Sequence, residues 1–88
     1  MNENEVIAKL KELFSDIFDI PKDEIQDDLS SDTIEKWDSF QHLLLISSIE
    51  ETFNISLTAD EVTEMVTFEK AKDFVIKNLS NRKGIEIY

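Results

Sequence analysis

Trp37-Asp38-Ser39-Phe40-Gln41-His42-Leu43-Leu44-Leu45-Ile46 marks the point where an acidic, aperiodic stretch ends and the most apolar helix of the chain begins. Asp38 is a good helix N-cap. Gln41, three residues later, completes the pattern of a capping box, in which two orphan backbone N–H groups are satisfied reciprocally. Ser39 then falls at the first helical position, close to free N–H groups and the positive end of the helix macrodipole. A helix start of this kind suits a phosphate ester. Serine is common at helix starts, so the pair Asp38-Ser39 takes its meaning from its surroundings.

The helix that follows is expected over about 39–52, and its apolar residues do not form a single stripe. At about 100° per residue, His42, Leu45, Ile46, Ile49 and Phe53 gather on one side, and Phe40, Leu43, Leu44 and Ser47 on the opposite one. Only one side can face the core of a small bundle. Either the preceding loop covers the second side, or Phe40, Leu43 and Leu44 form an exposed apolar patch beside Ser39, of the kind that marks an interaction site.

Toward the N-terminus, residues 21–37 carry Asp23, Glu24, Asp27, Asp28, Ser30, Ser31 and Asp32 around isolated Ile25, Leu29 and Ile34, without a sustained period. The reading is a long loop with at most one helical turn, pinned by its apolar residues; such loops tend to be functional. It lacks the glycine and spaced ligands of a calcium loop. Before it, Val6, Ile7, Leu10, Leu13, Phe14, Ile17 and Phe18 recur at intervals of three and four, one stripe of an amphipathic helix. Asn2 or Asn4 can cap this helix, and Ile20-Pro21 stops it just beyond Asp19.

Toward the C-terminus, Asn54 ends the apolar helix and Ile55 and Leu57 lie in a short connection. Thr58-Ala59-Asp60-Glu61 is a second capping box, opening a short helix with Val62, Met65 and Val66 turned inward. Thr67 caps a last helix bearing Phe68, Ala71, Phe74, Val75 and Leu79. Residues 81–88 are expected to be a loosely attached tail. The fold class is therefore all-α: four helices, a long loop after the first and a short third helix, in a single domain over residues 1–88 with its core at about 4–80.

With 88 residues the chain buries only about 60% of its unfolded surface, enough for one core. The net charge of −11, from 20 acidic and 9 basic residues, argues against nucleic acid or anionic membrane as a partner. The same repulsion favours a monomer. Absence of cysteine removes disulfides, thiolate metal sites and a cysteine nucleophile, so any thiol chemistry must use an imported sulfur. A single glycine, Gly84, leaves no phosphate-cradling loop. His42 is the sole histidine and maps to the core-facing side, so no nucleophile–base pair is in view and an enzyme is not expected. The start of the chain lacks the pattern of a signal peptide, which places the expected protein in the cytoplasm. No Lys or Arg occurs between Trp37 and Glu69, whereas Asp38, Glu50, Glu51, Asp60, Glu61, Glu64 and Glu69 all do. A basic enzyme surface steered toward this half would arrive at Ser39.

Helix order, acidity, the long loop and Asp38-Ser39 before a hydrophobe together resemble the acyl carrier protein family. The resemblance runs from about Val6 to Leu79 and includes Trp37-Asp38-Ser39-Phe40, His42-Leu43, Ile49-Glu50-Glu51, Phe53 and Ile55-Ser56-Leu57. Phe40 stands where the family usually has leucine. The resemblance implies a four-helix bundle of acyl-carrier type, freestanding, with 4′-phosphopantetheine from coenzyme A attached to Ser39 by a phosphopantetheinyl transferase. It implies a carrier of acyl thioesters in fatty-acid, polyketide or surface-polymer synthesis, docking weakly and briefly on loading and transferring enzymes with basic surfaces. The expected partner-facing residues are Phe40, Leu43, Leu44, Ser47, Glu50, Glu51, Asp60, Glu61 and Glu64, with Asp38 beside the attachment serine. Family members commonly place carboxylates along the start of the second helix; here Gln41, Leu44 and Ser47 leave it neutral, which shifts recognition toward apolar contact. Leu45, Ile46, Ile49, Val62, Met65 and Phe74 are the candidates to line a core that parts for an acyl chain. An aminoacyl, D-alanyl or peptidyl carrier, or an unmodified helical interaction domain gripping a partner through Phe40, Leu43 and Leu44, are the other readings.

Overall fold

The computed structural model describes residues 2–86, with side chains described up to Ser80. Among the described residues four α-helices form a bundle: α1 (Glu3–Phe18), α2 (Ser39–Phe53), α3 (Ala59–Glu64) and α4 (Phe68–Glu86). A 3-10 turn at Lys22–Glu24 is the one helical piece of the long loop among the described residues. The expected all-α class, the long loop after α1 and the short α3 are all present. Residues 81–86, expected to belong to a loosely attached tail, continue α4 as helix to Glu86, and Ile87 and Tyr88 lie outside the described residues.

Each helix start has the side-chain cap its sequence requires. Asn2 Oδ1 accepts from Glu5 N at 2.9 Å, Asp38 Oδ1 from Gln41 N at 2.9 Å, and Thr67 Oγ1 from Lys70 N at 3.1 Å. Thr58 and Glu61 form a complete capping box. α1 and α2 end on Asp19 and Asn54, both left-handed with φ of 56° and 54°. Asp and Asn tolerate that region because their short side chains bond locally, so two helices stop cleanly without glycine.

α1 packs against both α2 and α4. Phe14 sits at the centre, fully buried, with Phe18, Trp37 and Phe68 around it at centroid distances of 5.6, 5.5 and 5.0 Å. The contacts to Trp37 and Phe68 are edge-to-face, the arrangement that ring quadrupoles favour. α2 turns Leu45, Ile46, Ile49 and Phe53 into this core.

The long loop is tied down through its backbone. The first N–H groups of α4 have no partner within their own helix. Phe68 N donates to Leu29 O at 2.9 Å and Glu69 N to Asp27 O at 3.2 Å, while Ser31 N donates to Val66 O at 2.9 Å. An ion pair of Lys72 with Asp27, 2.6 Å long, adds to this. Ile25 is buried, and Leu29 and Ile34 pack against the core. The loop thus crosses from the end of α1 to the start of α4 and returns to deliver Trp37 and Asp38 to α2.

Candidate functional site

Ser39 is the first residue of α2, and its position is fixed from both sides. Asp38, in extended conformation, caps the helix through Gln41 N. The reciprocal half of the expected capping box is not made: Gln41 Nε2 donates to Ile17 O at 3.1 Å. Ile17 lies in the last turn of α1, where carbonyls lack helix partners, so Gln41 satisfies an orphan acceptor there and locks the start of α2 to the end of α1. Ser39 is exposed, and its hydroxyl has no hydrogen-bond partner among the described residues. The first turn of α2 carries no acidic residue, which leaves its free N–H groups and positive dipole end uncompensated apart from the cap. An exposed hydroxyl at such an end fits a phosphodiester linkage.

Behind Ser39 lies a network of which the sequence reading supplied only the His42 position. Trp37 Nε1 donates to His42 Nδ1 at 2.9 Å, and His42 Nε2 lies 2.7 Å from Val62 O. A carbonyl oxygen only accepts, so the hydrogen is on Nε2, and the Nδ1 lone pair receives the indole N–H. Both ring nitrogens are thereby used in holding structure, in keeping with the core-facing position expected of His42. The signal in the sequence was a tryptophan, which needs an acceptor when buried, five residues ahead of a lone histidine.

A cleft of about 390 Å³ opens beside Ser39. Trp37, His42, Leu43, Val62 and Val66 line it, with Ser31, Asp38, Ser39 and Thr63. Val66, expected to turn inward with Val62 and Met65, is 44% exposed. The reason is that α3 ends at Glu64 and Val66 N bonds to Glu64 O at 2.8 Å, a tight turn that rotates the side chain outward. Met65 is fully buried as expected.

From the rim of this cleft, where Leu43 stands, an apolar surface continues along α2: Phe40 is 70% exposed, Leu43 62% and Leu44 44%. With Val66 they are the exposed large apolar side chains among the described residues. The loop does not cover them, because its backbone is committed to α4. Ser47 continues this exposed side of α2.

The acidic residues divide. Glu51, Asp60 and Glu64 are exposed. Glu50 is half-buried, and its Oε2 accepts from Leu57 N at 2.9 Å, bracing the connection to α3. Glu61, expected on the partner-facing surface, is instead buried. Its Oε1 accepts from Thr58 N at 2.9 Å and its Oε2 from Asn78 Nδ2 at 3.1 Å, with the Lys77 ammonium 3.9 Å away. Burial by itself raises the pKa of this carboxyl, but the Thr58 and Asn78 hydrogen bonds and the Lys77 charge outweigh it and hold the group below its ordinary value of 4.5. Glu61 is thus a structural tie between α3 and α4.

No family model matches the chain. Among curated proteins it is similar to the acyl carrier proteins of Guillardia theta, 26% identical over 91% of this chain and 99% of the relative, and of Lactobacillus johnsonii, 27% identical over 85% and 94%. The acyl carrier protein of Rubrobacter xylanophilus is 26% identical over 89% and 96%. In three dimensions the chain is similar to the solution structure of a holo acyl carrier protein from Geobacter metallireducens, with a TM-score of 0.78, 25% identity and coverage of 90% and 91%. The fold of the Enterococcus faecalis acyl carrier protein superimposes with a TM-score of 0.76 at 24% identity, over 89% and 99%. By architecture the chain is a small helical carrier-type bundle. Within that class, the resemblance to acyl carrier proteins drawn from Asp38-Ser39 and its surroundings is borne out along nearly the whole domain.

Proposed function

We propose that this chain is a freestanding acyl carrier protein that carries 4′-phosphopantetheine on the Ser39 hydroxyl and presents acyl thioesters to enzymes of fatty-acid, polyketide or surface-polymer synthesis. The observation that carries the reading is an exposed, unpartnered Ser39 at the capped and doubly anchored start of α2, beside an exposed apolar patch. Attachment forms a bond between Ser39 Oγ and the phosphorus of the arm, breaks the pyrophosphate of coenzyme A, and releases adenosine bisphosphate; the hydroxyl proton leaves to the transferase. The prosthetic group supplies the thiol that this cysteine-free chain lacks.

The residues of the chain divide the remaining work. Asp38 and Gln41 hold the helix end open and steady, so that Ser39 projects at one place. Phe40, Leu43, Leu44 and Ser47 form the part of the docking face nearest the serine, and Glu51, Asp60 and Glu64 steer basic partner surfaces from farther away. Glu50, half-buried and bonded to Leu57 N, adds its charge to the same field. Because α2 is neutral over its first turns, binding rests on apolar contact and the steering is secondary. The carrier itself performs no bond chemistry; loading and transfer occur on the partner enzymes.

Intact-protein mass after incubation with coenzyme A and a broad-specificity phosphopantetheinyl transferase tests this. One added arm is expected on the wild type and none on Ser39→Ala. Failure of the folded, unmodified wild type to gain the arm would overturn the proposal in favour of an unmodified interaction domain.

A further inference from the structure

We propose that His42 is a latch that pins α3 to α2 and so determines which acyl groups the domain can take in. The inference rests on the carrier reading above. Three observations carry it.

First, the acceptor is a helix-end carbonyl. In an α-helix Val62 O would receive the N–H four residues later, but Val66 N is bonded to Glu64 O instead. His42 Nε2–H takes that place at 2.7 Å and is the side-chain hydrogen bond that joins α2 directly to α3 among the described residues. Second, the imidazole is immobilised from behind. Trp37 fixes its tautomer by donating to Nδ1, and Trp37 is wedged against Phe14 and Phe18 at centroid distances of 5.5 and 4.9 Å. The latch is therefore anchored in the aromatic centre of the core. Third, it stands between the open cleft and the interior. Trp37, His42 and Val62 all line the cleft beside Ser39, while Ile46 and Ile49 follow His42 along the same side of α2 and Met65 follows Val62 at the end of α3, all buried.

To lodge a long chain among Leu45, Ile46, Ile49 and Met65, α3 must move away from α2. That movement breaks the His42–Val62 bond and exposes a carbonyl with no other partner in its helix. The turn of α3 next to Val62 is in addition tied to α4, where Asn78 Nδ2 donates to Glu61 Oε2 at 3.1 Å, so α3 is held on both sides of the latch. A short acyl group needs no such movement, because the cleft is already open. The domain thus admits short acyl groups to the cleft and leaves long ones outside.

The test compares acetyl- and octanoyl-loaded protein by amide and methyl chemical shifts, with loading first verified by intact mass, so that a failure of attachment at Ser39 is seen separately. In the wild type, octanoyl loading should leave Leu45, Ile46, Ile49 and Met65 at their unloaded positions. In His42→Ala the same residues should move several-fold more. His42→Gln, whose amide can still donate to Val62 O, should resemble the wild type. Shifts at those four residues in octanoyl-loaded wild type as large as in His42→Ala would overturn the proposal. If His42→Ala does not fold, the wild-type result alone decides: core shifts on octanoyl loading overturn the latch, and their absence together with shifts at Trp37, Leu43 and Val66 on acetyl loading supports it.

Discussion

Replacing Glu61 by glutamine should destabilise the domain by about 2 kcal/mol at neutral pH, although the change removes no volume and lies away from the proposed attachment site. The Thr58 N–H bond survives, since an amide oxygen in the place of Oε1 accepts it. The amide nitrogen in the place of Oε2 faces the Asn78 Nδ2 donor. Asn78 cannot turn its own oxygen inward without surrendering its 2.8 Å bond to Phe74 O. One charge-assisted hydrogen bond is therefore lost, about 1.5–3 kcal/mol. The Lys77 contact, at 3.9 Å with a mostly exposed ammonium, adds well under about 1 kcal/mol. For a domain of this size, about 2 kcal/mol lowers the melting temperature by roughly 8–16 °C.

The pH dependence gives the sharper check. The folded-state pKa of Glu61 lies below its ordinary value of 4.5, so the unfolded chain takes up the proton first as the pH falls. The stabilisation is fully present well above 4.5 and is lost as the pH drops through the lowered folded value. The difference between wild type and Glu61→Gln should therefore be constant from pH 8 to 6 and shrink below 4.5. Parallel urea and thermal melts followed by circular dichroism measure it. Equal stability at pH 7, or a difference that survives unchanged at pH 3, would refute the reasoning.

Two further substitutions separate packing from recognition. Phe14→Ala empties the centre of the aromatic cluster and should cost about 3–5 kcal/mol, enough to leave a domain of this size largely unfolded at 37 °C in a thermal melt. Leu43→Asp, on a side chain 62% exposed, should change stability by no more than about 0.5 kcal/mol, yet slow modification of Ser39 by the transferase on the order of tenfold, the equivalent of about 1.4 kcal/mol of docking energy. A wild-type modification rate that falls only weakly with added salt would fit a docking face that is apolar at its centre.

The sequence alone determined the helices, their caps and the place of Ser39, because these depend on near neighbours. Periodicity identifies α1, an acceptor side chain in front of each helix start identifies the cap, and Asp19 and Asn54 supply the left-handed stops. The two-sided pattern of α2 likewise separated Leu45, Ile46 and Ile49 from Phe40, Leu43 and Leu44. It left open which outer surface would be covered, and only the tertiary structure decided that: the loop is tied to the start of α4 through Asp27 O and Leu29 O and runs away from the outer side of α2. Tertiary structure also took Gln41 from its expected local box to Ile17, 24 residues earlier, and Glu61 from the surface to Asn78, 17 residues later. His42 was legible as an inward-facing side chain, but not as the link from Trp37 to Val62. Hydrogen-bond partners are assigned by what lies within about 3 Å in space, and for a side chain with several local choices that distance is set by packing between helices.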